Sequence, residues 1–268
     1  MKNFKSTKYI FSPIVMTSVL TFFVSLSILV FHNKLAWIVW KNFHCDMVAI
    51  VLNQKDAELF FDMGNYYFGE GDYDLDKSDK YYKKALAIDN SLERLHYQMA
   101  RLYFIKNELS RARYEINKEL ELYPEFKRSY YVRGLINGYD NKLEEAEVDF
   151  VEFLKWKKES WAGYNDLAWV YFRMGDYKKV LATADSGLKY YPDSVWLLNS
   201  KGVALLNLGR NDEARSILKN ALFTAENMDV SEWGVAYPGN NPDIYNNGLD
   251  AMKESIKRNI DLIDNSGK

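Results

Sequence analysis

The sequence has a single cysteine, Cys45, among 268 residues. No intramolecular disulfide can form, and no cysteine-built zinc site is available. Histidine is scarce too: His32, His44 and His96 are the three present, and their separation is not a metal-ligand spacing. His44 adjoins Cys45, but adjacency along a chain does not set a base against its nucleophile, so Cys45 reads as a free thiol. No Gly-rich phosphate loop, G-x-S-x-G elbow or H-E-x-x-H helix occurs. Asp72, Asp74, Asp76 and Asp79 resemble a calcium loop only superficially. Lys77 stands where such a loop needs glycine and Lys83 where it needs the closing glutamate, so these aspartates read as a solvated turn that caps the next helix. A formal net charge of −2 leaves neither a basic footprint for nucleic acid nor an acidic tail. The expectation is a protein that is not an enzyme, with no cofactor, no metal, no nucleic-acid partner and no small-molecule substrate.

What is abundant is apolar and aromatic surface, at 48% and 16% of the residues, and it is periodic. Within Trp161 to Asp193, Tyr164, Leu167, Ala168 and Tyr171 fall on one helical face. Gly175-Asp176 marks a break, Val180, Ala184 and Gly187 form a second face, and Pro192 closes the unit. The same spacing recurs every 34 residues. The unit 195–228 repeats it with Leu198, Gly202, Leu205, Gly209, Ala214, Leu218 and Ala221. The unit 127–160 has Tyr130, Gly134, Ala146, Phe150 and Phe153, and 93–126 has Ala100, Tyr103, Ala112, Ile116 and Pro124. The first, 57–92, has Phe60, Met63, Gly64, Tyr67, Ser78, Tyr82 and Ala85, with two extra residues in its turn. Gly64, Ala100, Gly134, Ala168 and Gly202 mark where the two helices of each unit touch, since only a small residue lets them close.

This pattern resembles the tetratricopeptide repeat (TPR) family over five units. Arg133 and Lys201 depart from it in place of leucine, Asn137 in place of an aromatic, and Glu119 and Phe153 in place of a late small residue. The resemblance implies an all-α fold, an α-solenoid of helix-turn-helix units, because one hairpin cannot bury its apolar face alone and stacking does so. It also implies a concave surface lined by the first helices. Carried over unit by unit, the inward positions give as partner-binding candidates Asn65, Tyr97, Arg101, Phe104, Tyr131, Asn165, Trp169, Phe172, Arg173, Asn199 and Asn207. Asparagines offer a donor and an acceptor to an extended backbone, arginines can grip a carboxylate, and aromatics anchor. The Lys and Asn set that some family members use to clamp a C-terminal carboxylate is missing.

The flanks complete the organisation. Residues 1–9 are basic. Residues 10–31 carry no charge and, at about 33 Å as a helix, read as a transmembrane helix. A cleaved signal peptide is the rival reading, but no small-x-small site follows the apolar run. Lys2, Lys5 and Lys8 against Lys34 and Lys41 place the N-terminus in the cytoplasm and the repeats on the far side, periplasmic in a bacterium. Trp37 and Trp40 suit a membrane interface or packing on the first unit. Residues 32–56 read as a juxtamembrane helix making a half-repeat, 229–241 as a loop, and 242–264 as a C-terminal capping helix. The expected function is a single-pass, membrane-anchored scaffold that binds a protein or peptide segment in its groove. The alternative is a structural accessory subunit packed permanently into a membrane or cell-envelope assembly.

Overall fold

The computed structural model describes residues 30–235 and 245–265. Among the described residues there is no strand; an isolated bridge between Phe68 and Tyr73 is the extent of extended pairing. The chain divides after Leu59 into two units, each taken by itself below.

In the first unit, residues 30–43 are helical (α1) and Asp46–Leu52 form α2. One continuous helix was the expectation; His44, at φ 47°, breaks it. Asn53 is extended, and Asp56 then gathers the turn. Its Oδ2 accepts from Trp37 Nε1 at 2.9 Å and from Asn53 Nδ2 at 3.1 Å, while Oδ1 accepts the Leu59 N–H at 3.0 Å. Trp37 is thus tied down by a carboxylate, and Trp40 is buried with 1% of its surface exposed.

The expected single-pass membrane localisation is overturned. Among the described residues no helix is long and apolar enough to cross a membrane. The segment 10–31 lies outside the described residues except for Val30 and Phe31, which are helical and continue into Lys34 and Lys41. Those two lysines interrupt the apolar run.

The second unit is a stack of antiparallel helix pairs: α3 (Ala57–Tyr67) with α4 (Leu75–Ile88), α5 (Leu95–Ile105) with α6 (Leu109–Leu122), α7 (Arg128–Tyr139) with α8 (Leu143–Trp156), α9 (Trp161–Met174) with α10 (Tyr177–Leu188), and α11 (Val195–Asn207) with α12 (Asn211–Glu226). The turn inside each of the last four pairs needs one residue in the left-handed region. Gly175 (φ 77°) and Gly209 (φ 75°) supply it in two, and Asn107 (φ 58°) and Asn141 (φ 59°), at the matching positions, in the others. Glycine and asparagine adopt that conformation at the lowest cost. Asp74, Ser160 and Asp176 cap the helices that follow them through bonds to the N–H of Lys77, Gly163 and Lys179.

Close approach within a pair depends on the small residue of its first helix. A Cβ on Gly64 would lie 2.3 Å from the Tyr82 ring, one on Gly134 3.0 Å from Phe150, and one on Gly202 2.6 Å from Leu218. Ala100 and Ala168 hold the equivalent places and are buried. Between pairs the fit is reciprocal in size. Phe153, large where the pattern is small, lies 3.0 Å from the Cβ that Gly163 lacks, beside Leu154 at 2.9 Å; a Cβ on Gly187, small at the same step of the next unit, would stand 2.8 Å from Leu197.

The other departures from the pattern find partners. Arg133 holds Asp149 with its Nε and Nη2 at 2.7–3.1 Å, and Asn137 donates to the same carboxylate at 2.9 Å. Arg133, Asn137 and Asp149 form one network, so the two departures and the buried carboxylate satisfy each other. Glu119 is fully buried, and its carboxylate accepts the N–H groups of Arg94 and Tyr97, each at 3.2 Å. It does for α5 what the α5 N-cap residue, Arg94, does not. Lys201 pairs with Asp185 at 2.7 Å.

After α12 the segment read as loop begins with a short helix, α13 (Val230–Val235), and α14 (Tyr245–Asn265) follows. Ile256, Ile260 and Ile263 of α14 join Leu218, Ala221 and Ala225 in the core of the last pair.

The reciprocal fit makes a test. Gly163→Leu should destabilise the chain by about 1–3 kcal/mol through overpacking against Phe153. Adding Phe153→Ala should recover much of that loss. Urea unfolding followed by circular dichroism measures the cycle, and additive costs would refute the pairing.

Candidate functional site

The first helices of four consecutive pairs enclose a cavity of about 980 Å³. Tyr97, Arg101 and Phe104 enter it from α5, Arg128, Tyr131, Leu135 and Tyr139 from α7, Trp161, Asn165, Asp166, Trp169 and Phe172 from α9, and Trp196, Asn199, Ser200 and Val203 from α11. Met252 of α14 adds an apolar group beside the last pair.

An aromatic row crosses three pairs. Phe104 meets Tyr139 edge-on at 5.2 Å, and Tyr139 meets Trp169 at 5.1 Å. Such tilted contacts suit the ring quadrupoles. Tyr139 remains 61% exposed and Phe172 40%, so the row is only partly spent on packing. Gly138 gives Trp169 its seat: a Cβ there would stand 2.6 Å from the indole. Trp161 and Trp196 stack at 4.5 Å, and Trp196 stacks in turn on buried Trp233 of α13 at 5.5 Å.

A polar line runs beneath. Tyr131 Oη donates to Asp166 Oδ2 at 2.5 Å, Asn165 Nδ2 to Asp166 Oδ1 at 3.3 Å, and Ser200 Oγ to Asn165 Oδ1 at 3.2 Å. Burial raises the Asp166 carboxyl to about 6, against the hydrogen bonds from Tyr131 and Asn165, which lower it. At the α5 end, Asn65 Oδ1 accepts from Tyr82 Oη at 2.7 Å and from Gln98 Nε2 at 2.9 Å. Gln98 Oε1 accepts from Arg101 Nη1 at 2.6 Å, which holds the guanidinium over the rings of Phe68 (5.1 Å) and Tyr97 (5.8 Å).

Of the eleven candidates, Tyr97, Arg101, Phe104, Tyr131, Asn165, Trp169, Phe172 and Asn199 line the cavity. Three do not. Asn65 stands behind Gln98 and positions it. Arg173 lies at the rim, over Trp169 at 5.4 Å and bonded to Asn141 at 2.9 Å. Asn207 is exposed and turns back to its own helix at Val203 O, 2.8 Å away.

Sequence reasoning missed Asp166, Ser200 and Gln98, which share one signal. All three occupy the sixth position of their units, and each reaches back to a polar residue of the unit before: Tyr131, Asn165 and Asn65 respectively. Among the described residues no group of His, Cys, Asp or Glu side chains could hold a metal ion.

Helical pairs stacked in register, with first helices facing a groove, define a TPR-type solenoid. The chain is similar to the crystal structure of MamA, at 22% identity and TM-score 0.56, over 63% of this chain and 92% of that one. It is similar to YrrB, described as a TPR protein with an unusual peptide-binding site, at 17% identity and TM-score 0.56, over 68% and 92%. It also resembles a tetratricopeptide repeat protein from Parabacteroides merdae, at 18% identity and TM-score 0.56, over 90% and 94%. At these identities the likeness is one of fold. No protein-family model matches the chain, and no curated protein matches it.

Asp166 gives a pH signature. Its folded value lies above that of the unfolded chain, so its contribution to stability is present below about pH 4 and is lost as pH rises through about 6. Asp166→Asn keeps an acceptor for Tyr131 and removes the titration. The variant should therefore gain about 1–2 kcal/mol on the wild type between pH 4.5 and pH 7. Urea unfolding at both pH values measures the gap, and a gap that does not change with pH would contradict the assignment.

Proposed function

We propose that the units from 57 to 228 act as a protein–protein interaction scaffold, whose groove takes up a protein or peptide segment. The observation that carries this reading is the groove of about 980 Å³, lined from four first helices by aromatic, asparagine and arginine side chains. Rigid aromatics supply contact area at low entropic cost, and Asn165 and Asn199 offer hydrogen bonds to an extended backbone. YrrB, a TPR protein described as having a peptide-binding site, supports the same use of the fold. None of the residues gathered here forms a nucleophile–base pair, so the role we propose is recognition without turnover.

A photo-crosslinking amino acid tests where the partner sits. Installed at Phe172, which lines the groove and is 40% exposed, it should capture a discrete partner in the native cell. Installed at Tyr114 on α6, 60% exposed and outside the groove, it should not. Asn165→Ala together with Trp169→Ala should reduce the Phe172 adduct at least tenfold. Equal adducts from both positions would overturn the reading.

A further inference from the structure

We propose that the α5–α7 end of the groove is a carboxylate subsite, formed by Arg101, Arg128 and the Tyr97 hydroxyl, which selects segments with an aspartate or glutamate close to an aromatic or large apolar residue. This rests on the groove being the binding site.

Three observations place the subsite. Tyr97, Arg101 and Arg128 line the same cavity. Both guanidinium groups lie near enough to the Tyr97 phenol to favour its ionisation, although burial outweighs them and holds the hydroxyl above its ordinary range. Arg101 is fixed in direction by the Asn65–Gln98 chain and by the faces of Phe68 and Tyr97. Tyr97 is fixed by its edge-on contact with Phe126 at 5.0 Å. The donors are therefore preorganised, which lowers the cost of binding.

The balance of charge points to an anion. Among the described residues, Arg128 makes no ion pair and the Tyr97 hydroxyl has no hydrogen-bond partner. Glu119, the acid whose charge opposes ionisation of the Tyr97 phenol, is buried and spends its oxygens on the N–H groups of Arg94 and Tyr97. Asp166, the acid that lines the groove, is engaged by Tyr131 and Asn165. Two planar guanidinium forks and a phenol offer directional donors that match the two oxygens of a carboxylate. Phe104 follows Arg101 by one helical turn on α5 and begins the aromatic row. Carboxylate and anchor should thus sit roughly two to four residues apart on an extended segment, which advances ~3.3 Å per residue.

The test is a randomised twelve-residue peptide library displayed on phage, panned against the full chain and then against its variants. Enriched peptides should pair Asp or Glu with an aromatic or large apolar residue two to four positions away. A synthetic peptide of that consensus should lose about tenfold in affinity when its acid is changed to the amide. Arg101→Gln with Arg128→Gln should lose a similar factor and no longer distinguish acid from amide. Circular dichroism confirms that each variant folds. Peptides that need Trp169 yet show no preference for an acid, or bind the double arginine variant unchanged, would overturn the subsite while leaving the groove in place. Consensus peptides indifferent to Trp169→Ala, or no enrichment at all, would remove the groove reading itself.

Discussion

Everything in the second unit depends on how closely two helices approach inside each pair. Tyr82, Phe150 and Leu218 pack against the backbone of Gly64, Gly134 and Gly202, where a methyl group would have no room. Once each pair is closed in this way, its first helix presents a regular row of side chains toward the neighbouring first helix. The groove is a by-product of that regularity. Its walls repeat because the pairs repeat.

Packing alone would leave successive pairs free to slide on an oily interface. Directional bonds oppose that. The sixth position of a unit reaches back to the unit before it through Gln98, Asp166 and Ser200. The third unit has Val132 at that position and instead buries its polar network within its own pair, where Arg133 and Asn137 meet on Asp149. Glu119, which looks misplaced in a packing position, closes the N–H groups at the start of α5, the helix before its own. Burying a carboxylate is expensive, and each of these is tolerated because donors surround it.

The fold was legible in the sequence because its determinants are local and recurrent. A small residue at one step recurs in all five units, an aromatic at another in three, and glycine or asparagine at the matching turn position in the last four, so the register is checked repeatedly within one chain. The groove was legible in part. The fifth and ninth positions of the units point inward, which found Tyr97, Arg101, Tyr131, Asn165, Trp169 and Asn199. Residues at the ends of the first helices were less well judged, because Arg173 and Asn207 turn to the rim and to their own helix. The sixth position was overlooked because its residues differ in type, and only their shared geometry reveals the common role. The membrane expectation failed for another reason: hydrophobicity measures transfer out of water, not the destination. The described helices next to that apolar run carry lysines, and Trp37 there is bonded to Asp56.

Phe153 against Gly163 and Gly187 against Leu197 carry a consequence for how such a chain can change. Identical tiles could be duplicated, deleted or shuffled without loss. These tiles are keyed. Exchanging the third and fourth would drive the ring of Phe153 toward Leu197 and leave Gly187 beside a serine, Ser129, with a gap between them. The order of the repeats is therefore written into their contact faces. Drift at one seam calls for a matching change across it, so the array changes two neighbours at a time.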